Sequence, residues 1–166
     1  MRWIDRRQFL SRAWKAGVGL LAVAAAWTSW DLLKPKPAAG YGAAVSTVSP
    51  DAVPEDTILE ITAARAYLTK VNGDVVALSE KCTHLGCRVP FCDSSGQFEC
   101  PCHGSVFNRA GDFLSGPAPR GMDRYGVSVV EGVVVIDTSD VIMGAPPGTQ
   151  TIDEPARGPS CTEGAG

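Results

Sequence analysis

Two stretches decide how this chain reads: Cys82-Thr83-His84-Leu85-Gly86-Cys87 and Cys100-Pro101-Cys102-His103-Gly104-Ser105. Between them they hold both histidines of the chain and four of its six cysteines. Thiolate and imidazole are the side chains that transition metals select, so two loops that concentrate them point to a metal site. Cys82, His84, Cys100 and His103 make a Cys-x-His and a Cys-x-x-His, a donor set that zinc also accepts. Zinc on those four leaves Cys87 and Cys102 with no reason to stand so near.

Outward from the loops the sequence reads as strands and turns. Thr57–Ile61 is a predicted strand. Arg65–Val71 and Asp74–Ser79 flank Asn72-Gly73, which predicts a hairpin with a type I′ turn. Gln97–Glu99 leads as a short strand into the second loop. Tyr125–Val130 and Val133–Asp137, joined by Glu131-Gly132, form a second predicted hairpin. No stretch of the body has helical periodicity, and 18 glycines and 12 prolines favour turns. The expectation is a mainly β fold: a small antiparallel β domain over residues 56–144, then an irregular, Pro/Gly-rich tail over 145–166.

The N-terminal part differs in kind. Residues 1–30 carry five basic side chains against Asp5 alone, whereas the rest is acidic, and the whole chain has a net charge of −3. A basic head, an apolar run and an acidic body mark a topogenic N-terminus and exclude a nucleic-acid binder. Ala16–Trp30 is uncharged and spans only about 22 Å as a helix, short of a hydrocarbon core of roughly 30 Å. Backward extension through Phe9, Leu10, Ala13 and Trp14 supplies the missing length, with Arg12 and Lys15 reaching the headgroups. The run stops at Lys34-Pro35-Lys36-Pro37. Residues 1–34 therefore read as an uncleaved membrane anchor with a cytoplasmic N-terminus, and residues 35–55, rich in Pro, Ala, Gly, Ser and Thr, as a flexible hinge linker. Asp5-Arg6-Arg7-Gln8-Phe9-Leu10 resembles a twin-arginine export signal, with Asp5 and Ser11 departing from its usual residues.

The two loops resemble the Rieske family. That resemblance implies one [2Fe–2S] cluster per chain, with Cys82 and Cys100 on one iron and His84 and His103 on the other. It implies a disulfide between Cys87 and Cys102, and a hydrogen bond from Ser105 to the cluster. Gly116-Pro117-Ala118-Pro119 is similar to the proline loop that covers the cluster in cytochrome bc-type members. Phe107 stands where a tyrosine donor is common, which implies a lower reduction potential and suits menaquinol. In an oxidising compartment Cys92 and Cys161 are left as a second disulfide pair.

The function implied is that of the Rieske subunit of a dimeric membrane quinol:cytochrome c oxidoreductase. Its partners would be a cytochrome b-type subunit, a c-type cytochrome and a quinol, with the domain on the periplasmic side. His103, then His84, would accept the quinol's hydrogen bond and proton. An electron-transfer subunit of another exported oxidoreductase, such as arsenite oxidase, fits the same loops. A dioxygenase ferredoxin fits them less well, because the disulfides and the export signal argue against it.

Overall fold

The computed structural model describes residues 5–34 and 42–162, and the chain divides into two units, residues 1–36 and 37–166. In the first unit a single helix, α1, runs from Arg6 to Leu33. It extends past the uncharged run at both ends, so Arg12 and Lys15 lie within it. Twenty-eight residues rise about 42 Å, more than a hydrocarbon core. None of its residues is buried, and its apolar side chains form no single stripe. A helix that is apolar all round suits lipid rather than a protein groove. Its most apolar window has a mean hydropathy of 1.4, so by length and composition it can cross a membrane. At its end the Lys34 N–H donates to Trp30 O at 3.0 Å, and the Lys34 ammonium lies 5.3 Å from the centre of the Trp30 ring.

The second unit is mainly antiparallel β. Its strands are β1 (Ala44–Ser46), β2 (Leu59–Ile61), β3 (Ala66–Val71), β4 (Asp74–Ser79), β5 (Phe91–Cys92), β6 (Gln97–Glu99), β7 (Val106–Phe107), β8 (Phe113–Ser115), β9 (Arg124–Val130) and β10 (Val133–Ile142). Six make one sheet in the order β1-β10-β9-β4-β3-β2, and four make a smaller sheet in the order β5-β6-β7-β8. Both predicted hairpins are present. At the β3–β4 turn Asn72 and Gly73 have φ of 53° and 89°, and at the β9–β10 turn Glu131 and Gly132 have 51° and 78°. Positive φ at both central residues is what a two-residue hairpin turn requires.

The linker reading over 35–55 is corrected in part. Residues 35–41 lie outside the described residues, but Ala44–Ser46 is an edge strand in register with β10, Val45 opposite Ile136. Val45 and Val48 pack on the core, and Thr47 N–H donates to Val134 O at 2.9 Å. The open edge of β10 supplies hydrogen-bond partners that composition does not reveal. The folded domain thus begins near residue 43, not 56.

The β3–β4 hairpin is the partition of the domain. Alternate residues of a strand face opposite sides. Ala66, Leu68 and Ala77 enter one core with Val53, Ala64, Tyr125, Val134 and Ile136. Tyr67 and Leu78 enter the other, with Cys82, Val89, Phe98, Cys100, Phe107, Ala118 and Met122. A hairpin buried on both faces ties the large sheet to the small one; the first cysteine loop follows β4 of the large sheet, and the second joins β6 to β7 of the small one.

Candidate metal centre

The two loops are built alike. Cys82 leaves β4 and Cys100 leaves β6. In each, the cysteine carbonyl accepts from the glycine four residues on, Gly86 at 2.9 Å and Gly104 at 3.0 Å. Each cysteine N–H donates to the next carbonyl along, Cys87 O at 2.7 Å and Ser105 O at 2.8 Å. Both glycines have the positive φ that closes so tight a loop, 80° and 71°. The same spacing, Cys to Gly, therefore folds into the same turn twice, and a Cys87–Cys102 disulfide joins the two turns.

Cys82 and Cys100 are buried and neither is in a disulfide. Burial pushes the Cys82 thiol up, and the neighbouring Cys100 adds to this. The His84 backbone N–H and the Ser105 hydroxyl pull the other way. The buried Cys82 thiol therefore favours its protonated form until a metal takes the sulfur as a thiolate. On the same two loops the rings of His84 and His103 meet edge to face, centroids 4.9 Å apart. His103 is exposed and His84 half-buried, with Leu85 beside them 70% exposed. The sulfurs of Cys87, Cys100 and Cys102 also lie within 4.8 Å of one another, but two of the three are bonded together and cannot serve as thiolate ligands.

The proline loop after β8 lies against both site loops. Gly116 has φ of 97°, and a Cβ on it would stand 2.5 Å from Ser105 Cα and 2.7 Å from Gly104 O. The Ala118 N–H donates to Ser105 Oγ at 3.2 Å, which leaves the Ser105 proton for the sulfur side. Thr83 Oγ1 donates to Arg120 O at 2.8 Å and closes the other flank. Phe107 is fully buried in the same core, edge to face with Phe113. Thr83 escaped the sequence reading, because a hydroxyl inside a Cys-x-His carries no signal of its partner.

Cys92 and Cys161 are bonded, and this disulfide pins the tail to β5. Glu99, adjacent to Cys100, is 2% exposed. Burial raises its pKa, but hydrogen bonds from Ser95, Ser160 and the N–H groups of Cys161 and Thr162 outweigh burial and hold the carboxyl below its usual range. Nothing in the local sequence marked it, since three of those four donors come from the tail.

Two buried, unbonded thiols and a pair of imidazoles on the same two loops are a donor set that fits a [2Fe–2S] group. The family model described as Rieske [2Fe-2S] domain matches residues 43–130. The cytochrome b6-f complex iron-sulfur subunit of Synechococcus elongatus is 32% identical over 152 residues, 80% of this chain and 84% of that one. Iron-sulfur subunit 2 of the cytochrome b6-f complex of the Cyanophora paradoxa cyanelle is 50% identical over 58 residues, 35% of this chain but only 24% of that protein. Among solved structures, the plasma membrane Rieske protein PetC3 of Synechocystis PCC 6803 is 33% identical, covering 43% of this chain and 74% of that one, with a TM-score of 0.38. The match to the family model over more than half the chain, at the loops just described, places the chain in the Rieske [2Fe–2S] family.

Proposed function

We propose that this chain is the Rieske subunit of a membrane quinol:cytochrome c oxidoreductase of the cytochrome bc or b6-f kind. The observation that carries the reading is the edge-to-face pair of imidazoles, His103 exposed and His84 half-buried, on the two loops that also hold two buried, unbonded thiols. Cys82 and Cys100 would hold one iron, and His84 and His103 the other. The [2Fe–2S] group supplies a one-electron couple whose potential the neutral imidazoles raise above that of an all-cysteine cluster. His103, exposed on the second loop, would meet a quinol hydroxyl held by a cytochrome b-type subunit. It takes the hydroxyl's hydrogen bond and proton, with His84 as the second acceptor. Ser105 and the Cys87–Cys102 bond keep both rings in place, and the proline loop keeps water from the sulfurs.

Phe107 offers no hydroxyl to a cysteine sulfur, which favours a lower potential and menaquinol as donor. The electron passes on to a c-type cytochrome. Helix α1 serves as the anchor, with the basic N-terminus cytoplasmic, the domain on the periplasmic side and the complex dimeric. Arg6-Arg7 directs export of the folded domain. The naming of the relatives as b6-f subunits, together with an apolar α1, favours this reading over a subunit of a peripheral oxidase.

The test is purification of the native assembly from membranes, with haem, quinone and iron–sulfide analysis. Co-purification with b- and c-type haem and a bound quinone is the expected result. Release of the chain by carbonate wash without haem would sink it. Cys82→Ser should abolish the reduced-state paramagnetic signal.

A further inference from the structure

The segment 151–162 has no strand or helix, yet the domain grips it along its length. Asp112 Oδ1 accepts from Thr151 Oγ1 at 2.9 Å. The buried Arg109 forms a two-pronged pair with Glu154, at 2.6 and 3.1 Å. Arg157 donates from its backbone to Ser95 O at 2.9 Å and from its side chain to Asp56 O at 2.7 Å. These contacts fall on the β7–β8 loop, the β5–β6 turn and the segment before β2. At the far end Cys161 is bonded to Cys92.

What lies beneath that end is Glu99. Its carboxylate accepts from Ser95 Oγ at 2.6 Å, Ser160 Oγ at 2.7 Å, Cys161 N at 2.8 Å and Thr162 N at 3.2 Å. The last three donors belong to the tail. A buried carboxylate that loses such donors is strongly unfavourable and must turn toward water. Glu99 is joined directly to Cys100, so that turn moves β6 and the second site loop. The tail also walls a cleft of about 480 Å³ that reaches Gly104 of that loop.

We propose that residues 151–162 are a thiol-releasable strap, and that Glu99 transmits its release to the second site loop. Cys161 is exposed and Cys92 is 2% exposed, so an external dithiol reaches Cys161 first. Its thiolate attacks Cys161 Sγ, the bond to Cys92 breaks, and Cys92 leaves as a thiolate that takes a proton. The second thiol of the reagent then closes its own disulfide and frees Cys161 as a thiol. Two electrons and two protons pass from the dithiol to the cysteine pair. The released strap leaves Glu99 without its three tail donors, and the loop that carries Cys100 and His103 loosens. Faster metal loss then follows, a consequence that rests on the ligand set proposed above, whereas loosening of the backbone does not.

The experiment is hydrogen exchange by mass spectrometry on the full chain in detergent, with iron release to a chelator followed in parallel. Wild type, wild type with dithiothreitol, the Cys92→Ser/Cys161→Ser double variant and Glu99→Gln are compared. Exchange over residues 151–162 and 98–105 should rise about tenfold or more in the treated wild type and in the double variant. Iron release should quicken with it, and dithiothreitol should add nothing to the double variant. Glu99→Gln should loosen 98–105 with its disulfide intact. If 98–105 in the double variant exchanges at the wild-type rate, the strap is not coupled to the loop and the proposal falls. It falls also if the double variant still responds to dithiothreitol, since Cys87–Cys102 is then the bond that matters. Should the double variant not fold, mass tagging of freed cysteines in treated wild type decides between the two bonds. Absence of iron from the untreated wild type would refute the ligand set and leave the exchange result standing.

Discussion

Tyr67 and Phe107 lie in the same apolar cluster as Cys82 and Cys100, and each carries a test at the level of one side chain. The Tyr67 hydroxyl is buried and has no hydrogen-bond partner among the described residues; the Arg88 guanidinium is near it without bonding geometry. Burial pushes this phenol up to about 12, against the pull of Arg88. In the unfolded chain a tyrosine ionises near pH 10. The folded state therefore keeps a proton that the unfolded state has already lost, so this stability is whole below pH 10 and drains away as pH rises toward about 12. Tyr67→Phe should remove that alkaline slope. At pH 7 it should cost less than about 0.5 kcal/mol or even stabilise, because it deletes an unsatisfied buried hydroxyl. Urea titrations at pH 7 and 11 on both proteins check the pair of outcomes. Phe107→Tyr should raise the midpoint potential, read by redox titration of the paramagnetic signal; an unchanged midpoint removes the argument for a low-potential quinol. The residue types and spacings of the site were legible in the sequence. Glu99 was not, because a charged residue alternating with the inward Phe98 reads as solvent-facing until the tail is laid over it.

Among the elements, the proline loop is the one whose fit is tightest. Gly116 has no room for a methyl group, since the neighbours are the backbone of Gly104 and Ser105 and its φ is in the left-handed region. Gly116→Ala should destabilise the domain by about 2–4 kcal/mol and lift the loop from Ser105. A thermal melt together with the rate of chelator-driven iron loss tests this, and a melt within error of wild type would show that the loop is not seated as described. The two long hairpins were legible because alternation and the Asn-Gly turn act locally. Strands β5, β7 and β8 have two or three residues each, too few to show a period. They exist because Phe91, Phe98 and Phe107 fall into register across the small sheet. β1 was hidden for another reason: an edge strand borrows its hydrogen bonds from β10 and needs no pattern of its own.

For the whole molecule, the anchor and the domain are separate units joined through residues 35–41. If the hinge expected over residues 35–55 lets the domain move between its partners and that movement sets turnover, replacing Ala38, Ala39 and Gly40 with proline should slow quinol:cytochrome c activity of the assembled complex severalfold. The midpoint potential should stay where it was, because no group near the cysteines changes. Equal turnover in the proline variant would count against movement through this segment. The segment available for such a hinge is shorter than composition suggested, since residues from Ala44 onward are part of the sheet.

The sequence by itself determined the family and a helix long and apolar enough to cross a membrane. Ligand type and spacing are local properties, and so are an apolar run and a pair of hairpin turns. Tertiary structure alone decided where the domain begins, which residues cover the site, and that a tail with no pattern of its own is bound by Arg109, Glu99 and Cys92. Those contacts join residues 45 to 69 positions apart, and no local periodicity encodes a partner at that distance.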